Sequence, residues 1–209
     1  MALHNCNICG KPASIDKAVL ISIRPEWCFL IAIGQKTLEL RRVVPNLPTP
    51  YKVYIYCTKG KTLYRSRYNN EIHLYHKQAN NSFDHHHVFN GKVIGEWTCD
   101  TIVPIRWQNY AVDWGMDEGE YNVSHLQLSA ACVTEEELLR YGEGKDISGL
   151  YIPSVKIYDK PKELSEFHRP CQESLYCESC AMWNERRGCG NAALQLNRPP
   201  QSWQFVEEL

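Results

Sequence analysis

The sequence lacks an apolar run of the roughly 20 residues that a membrane-crossing helix needs, so no membrane span is expected. Neither sign of charge dominates. With 23 Lys and Arg against 24 Asp and Glu, the formal net charge is −1, which argues against a global polyanion binder and leaves room for a local basic groove. There is no internal repeat, no heptad pattern and no low-complexity tract. Ser22 and Ser202 sit outside any G-x-S-x-G context, so no serine nucleophile is expected. The first residues are polar and carry Cys6 and Cys9, unlike a secretory leader. The ten cysteines are therefore read in a reducing cytoplasm, where clustered cysteine means metal before it means disulfide.

What is there centres on residues 18–42. Ala18 to Ile23 is a continuous β-branched and apolar run, the pattern of a buried strand. Pro25 suits the first position of a helix, Glu26 its positive end, and Gly34 its left-handed cap. After Gly34 the period changes from helical to alternating. Leu38 and Leu40 point one way; Thr37, Glu39 and Arg41 point the other, with Lys36 able to curl toward them. A Lys beside a carboxylate in a concave site can shuttle a proton; on an open surface the same residues form an ion-pair ladder of little energetic consequence.

Further strands are expected at Tyr51 to Thr58, half-buried, with Tyr54 and Tyr56 opposite Val53, Ile55 and Cys57. Gly91 to Ile105 reads as one long strand, with Gly95 marking a bulge or a close backbone approach. Tyr151 to Tyr158 reads as a strand kinked at Pro153, and residues from Trp203 to Val206 as a closing strand that pairs back. Residues 106–124 read as loop. Ser124 to Ala131 reads as a short helix, and Thr134 with Glu137 forms a capping box for another that runs to about Tyr141. Residues 60–90 read as an inserted hairpin. Its His85-His86-His87 run reads as exposed loop, since three successive side chains cannot converge on one ion. Arg65, Arg67 and the tyrosines around them offer nucleic-acid contacts as the alternative.

Cys171, Cys177, Cys180 and Cys189 supply a complete Cys₄ set for a structural Zn²⁺ in a loop at 171–190. A shared site of Cys6, Cys9, Cys177 and Cys180 has an equally natural C-x-x-C…C-x-x-C form. Two separate sites, an iron–sulfur cluster and no metal are the other readings. Cys28, Cys57, Cys99 and Cys132 stand singly in apolar surroundings and read as buried core thiols. Trp27, Trp107, Tyr110 and Trp114 are candidate base-stacking platforms, each also readable as a core or rim aromatic.

The strand, then Ser22-Ile23-Arg24-Pro25, the short helix and Gly34-Gln35-Lys36-Thr37-Leu38-Glu39-Leu40-Arg41 together resemble the ASCH domain family of the PUA-like group. The resemblance extends to Val53-Tyr54-Ile55-Tyr56-Cys57-Thr58, Gly91-Lys92-Val93-Ile94-Gly95-Glu96 and Pro199-Pro200-Gln201-Ser202-Trp203, and is nearest the phage or prophage branch. It implies an α+β, PUA-like β-barrel of five or six strands with short helices. The expected layout is an N-terminal extension over residues 1–17, a domain over 18–209, the insertion at 60–90 and the zinc loop at 171–190.

By the same resemblance, a cleft lined by Lys36, Thr37, Glu39 and Arg41 binds RNA or a modified nucleobase, with Arg24, Lys36, Arg41 and Arg42 as nucleic-acid contacts. Arg guanidinium suits phosphate and base stacking alike. An enzymatic branch hydrolyses the acetyl amide of N4-acetylcytidine with a Lys, a Thr three residues later and a distant Glu. Lys36 matches; three residues on stands Glu39 rather than Thr, with Thr37 adjacent and Glu96 a candidate for the distant acid. Other members are ribonucleases that rely on the motif Lys; in that case Lys36 or Arg41 would stabilise the phosphorane and Glu39 would be the base. Lys36, Thr37 and Glu39 are thus the candidate catalytic residues. A third reading is a phage accessory protein whose zinc loop binds another protein. The expected location is cytoplasmic, in the host if phage-encoded.

Overall fold

The computed structural model describes residues 17–60, 62–66, 72–75, 86–112, 116–170 and 193–209. Strand β1 (Lys17–Ile23) is buried on both faces from Ala18 onward, as its unbroken apolar run requires. Helix α1 (Pro25–Ala32) starts at the proline and ends before Gly34, whose φ is +75°. Strand β2 (Leu38–Arg41) follows, then β3 (Tyr51–Cys57), which pairs parallel to β1.

The expected half-buried character of β3 does not hold. Tyr54 and Tyr56 are buried as well, under a second core with Leu20, Phe167 and Val206; Tyr54 and Phe167 meet edge to face at 5.0 Å. The insertion is more than a hairpin. Strands β4 (Thr62–Ser66), β5 (Ile72–Tyr75) and β6 (His86–Val88) form a three-stranded sheet in the order β5-β4-β6. His85 lies outside the described residues, while His86 and His87 fall in β6.

The long strand expected over 91–105 is two strands. β7 (Val93–Cys99) and β8 (Ile102–Val112) belong to different sheets, and the chain changes sheet at Asp100–Thr101. β8 continues through the stretch read as loop and returns as β9 (Met116–Asn122). β9 is acidic and poor in strand-forming residues, so its own composition hid it. Gly119 explains its fit, because a Cβ there would stand 2.2 Å from the Trp107 ring.

Helices α2 (His125–Ala131) and α3 (Glu135–Gly142) both open with the capping box, at Ser124/Gln127 and Thr134/Glu137. The strand expected over 151–158 is likewise divided, into β10 (Ile147–Tyr151) and β11 (Lys156–Lys162), with Pro153 between them. After a 3₁₀ turn at Leu164–Glu166, β12 (Trp203–Glu207) pairs antiparallel with β1, as expected.

Hydrogen bonding groups the strands as β11-β7-β3-β1-β12, β2-β10-β8-β9 and β5-β4-β6. Twelve strands among the described residues exceed the five or six expected, although the mixed α+β class holds. The β3–β7 register shifts next to Gly95, and a Cβ on Gly95 would lie 2.5 Å from the Lys156 carbonyl of β11. That residue therefore marks both a bulge and a close approach. The first core, from Ile21 and Ile23 to Leu150 and Ile152, is shared by the two larger sheets. A third core of Leu38, Leu40, Ile105, Leu128 and Leu138 packs α2 and α3 on the four-stranded sheet. No helix among the described residues is long and apolar enough to cross a membrane.

Candidate functional site

The turn between α1 and β2 positions Lys36. Its backbone N–H donates to Leu30 of α1 at 3.0 Å, and the Thr37 N–H donates to Ala130 of α2 at 2.9 Å. The side chain is driven inward, and only 4% of it is exposed. Its ammonium donates to the carbonyls of Ala131 (2.7 Å) and Leu38 (3.0 Å) and faces Glu39 Oε2 at 3.5 Å. Two carbonyls and one carboxylate thus surround the ammonium. Ala131 is the last residue of α2, where a cation complements the helix dipole. The Trp27 ring lies over the same ammonium, its centroid 5.0 Å away.

Glu39 is shared. Its other oxygen forms an ion pair with Arg41 Nη2 at 2.9 Å, and the same nitrogen donates a hydrogen bond to the Ser22 carbonyl of β1 at 2.7 Å. Arg41 Nη1 donates to Ser202 Oγ at 3.3 Å, while Nε is buried with no partner. Ser22 in turn donates its hydroxyl to Pro200 at 2.6 Å and its N–H to Ser202 at 2.9 Å. The Lys-x-x-Glu-x-Arg side chains therefore knit α2, β1, β2 and the segment before β12 into one buried network of two cations and one anion.

That network floors a cavity of about 770 Å³. Trp27, Arg24 and Thr58 line one side, and Glu137, Arg140 and Tyr141 of α3 another. Arg42 stands at the rim, 2.8 Å from Glu143, with its guanidinium carbon 5.7 Å from the Tyr141 ring centre. Tyr141 donates to the Leu40 carbonyl at 3.2 Å, and burial pushes its phenol above the usual value. Five cations (Arg24, Lys36, Arg41, Arg42, Arg140) and two carboxylates (Glu39, Glu137) line the cavity, in a chain of net charge −1.

Of the residues expected from the sequence, Arg24, Lys36, Glu39, Arg41 and Arg42 come together here, with Trp27. Thr37 is not among the lining residues. It stands just before β2, its carbonyl accepting from Ile152. Glu96 lies elsewhere, on β7, where it accepts from Tyr158 at 2.5 Å and faces Lys156 at 3.7 Å. Trp107 packs edge to face on Tyr121 at 4.9 Å and does not line the cavity. Trp114 lies outside the described residues, and Tyr110 falls in β8.

The α3 contributions, Glu137, Arg140 and Tyr141, were missed. The capping box announced the helix, but nothing local announced that α3 would cover β2. Cys28, Cys57 and Cys99 are buried thiols, as expected, whereas Cys132 is only half-buried. Burial, followed by the neighbouring Cys57, pushes the Cys28 thiol well up. Cys6, Cys9, Cys171, Cys177, Cys180 and Cys189 lie outside the described residues. Among the described residues no group of three or more His, Cys, Asp or Glu is placed to hold a metal.

These features define a mixed α+β protein with a basic cavity between its two larger sheets and its helices. Its structural neighbours are ASCH domain proteins. The chain is similar to ASCH from Zymomonas mobilis, with 17% identity, 91% of this chain and 88% of that one covered, and a TM-score of 0.48. Similar too are two mutants of the same protein. For a tyrosine-to-phenylalanine form the identity is 18%, the coverage 91% of both chains and the TM-score 0.47. For a serine-to-alanine form the identity is 18%, the coverage 93% and 91%, and the TM-score 0.48. No protein-family model matches the chain, and no curated protein matches it.

Proposed function

We propose that the cavity is a nucleic-acid site that takes a base and its backbone from single-stranded RNA. The observation that carries this reading is the concentration of five cations against two carboxylates around one hollow that also presents Trp27. Cations track a polyanion and an aromatic face stacks a base. The resemblance of the Gly34–Arg41 segment to the ASCH motif points the same way. The buried floor sets the cavity's shape and charge, and the rim meets the ligand.

The test is fluorescence anisotropy with a mixed-sequence single-stranded RNA over a range of salt. Affinity should fall with salt by a log–log slope of roughly −0.7 per phosphate contacted. Trp27→Ala should weaken binding by about 1–3 kcal/mol, the scale of one base stack. Absence of binding at low salt would sink the reading. Trp27 is a better probe than Lys36, whose removal would strip partners from two carbonyls and a carboxylate and disturb the fold itself.

The 3.5 Å approach of Lys36 and Glu39 inside the cavity favours a second reading, hydrolysis of a modified cytidine or of RNA, with Lys36 and Glu39 as the residues to test. Incubation with N4-acetylcytidine and with RNA, read by product mass, decides it. We also infer from cysteine spacing that the 171–190 loop holds a structural zinc on Cys171, Cys177, Cys180 and Cys189. One zinc per chain by elemental analysis is the expected result, and protein purified without chelator that carries none would overturn it.

A further inference from the structure

We propose that Arg24 is a phosphate subsite, so that the cavity selects a phosphate-bearing nucleotide over the free nucleoside. The inference rests on the reading of the cavity as a nucleotide site and narrows it. The argument is a census of charge. Of the five lining cations, four already face a carboxylate. Lys36 and Arg41 share Glu39, at 3.5 and 2.9 Å. Arg42 faces Glu143 at 2.8 Å, and Arg140 faces Glu136 at 2.8 Å. A ligand phosphate at any of these would have to displace or share an existing partner.

Arg24 differs. It is exposed, it lines the cavity, and among the described residues no carboxylate and no hydrogen-bond acceptor meets its guanidinium. Among the described residues, all five of its N–H donors are therefore open to a planar, bidentate acceptor such as a phosphate. Its main chain is fixed. The following Pro25 holds it extended, at φ −68° and ψ 149°, and its carbonyl accepts from the Cys28 N–H at 2.9 Å. Trp27, three residues on, lines the same cavity. A base stacked on Trp27 then carries its phosphate toward a guanidinium whose anchor does not move.

The test is calorimetric titration of the whole protein with the four ribonucleosides and with their 5′- and 3′-monophosphates, on wild type, Arg24→Gln and Arg42→Gln. In wild type at least one monophosphate should bind roughly ten- to hundredfold more tightly than its nucleoside, the scale of a charged hydrogen-bonded contact. Arg24→Gln should bring that monophosphate down to the nucleoside's affinity and leave the nucleoside unchanged. Arg42→Gln should preserve most of the difference, and inorganic phosphate should compete with the monophosphate but not with the nucleoside. Equal binding of nucleoside and monophosphate by wild type would overturn the subsite and leave the base-binding reading standing. A difference that survives Arg24→Gln would overturn it too, as would loss of nucleoside affinity in that variant. Failure of RNA, nucleosides and nucleotides alike would overturn both.

Discussion

The floor and the rim of the cavity use the same chemistry to opposite ends. On the floor, Glu39 sits between Lys36 and Arg41 with all three side chains nearly out of water, at 8%, 4% and 11% exposure. At the rim, Arg42 with Glu143 and Arg140 with Glu136 are at least 44% exposed on every side chain. A buried pair costs desolvation whether or not it forms, so it matters chiefly through what happens when one partner is removed. An exposed pair is screened by water and salt and contributes little. The floor is thus a fixture that defines shape and field; the rim is where charges can exchange partners.

The sharpest way to break this contrast is at Glu39. Glu39→Gln leaves two buried cations without a counter-charge, and a loss of about 3–5 kcal/mol in urea unfolding is expected. A loss below 1 kcal/mol would mean that the floor is as wet as the rim. The matching rim change, Glu143→Ala, should cost less than about 1 kcal/mol, and that small loss should vanish in high salt. It should also free Arg42 for a ligand, so RNA affinity at low salt should rise.

The smallest effect concerns a third kind of pair, Asp146 with Arg106 on the β8 side of the molecule. The Trp107 N–H, 2.9 Å away, and then the Arg106 guanidinium hold the Asp146 carboxyl below its usual 3.8. With the folded value depressed, its contribution is complete above the usual value and is lost as pH falls through the lowered one. Asp146→Asn should therefore be slightly less stable than wild type at neutral pH. That small gap should close as the pH falls below about 4, read by urea unfolding across the pH range.

Much of the floor was legible because its cues are local. Pro25 placed the start of α1, Gly34 its end, and the change of period after Gly34 placed Glu39 and Arg41 on one face. The curl of Lys36 followed from its place in the turn. Thr37 misled, because face-sharing by alternation holds only inside a strand, and β2 begins one residue later, at Leu38. The rim was harder. Tyr141 and Arg140 reach the cavity only because α3 packs on β2 through Leu138 and Leu40, a contact about a hundred residues apart in sequence that no local pattern encodes.

The β8–β9 hairpin shows the same limit. Its acidic, glycine-containing strand is held by pairing with β8 and by the Trp107 ring, not by its own propensity. The division of residues 91–105 between two sheets was hidden because the alternation runs straight through the crossover.

The pairing of β1 with β12 has a consequence in time. Lys17 is registered against Glu207, and Ser202, just before β12, accepts from Arg41. β1 lies next to the edge strand of the five-stranded sheet and is made well before β12, so one of its edges stays open until β12 has been synthesised, at roughly 5–20 residues per second. The cavity floor closes in the same moment, because Arg41 waits for Ser202. Every residue of the Lys-x-x-Glu-x-Arg motif is therefore made before the segment that completes its floor.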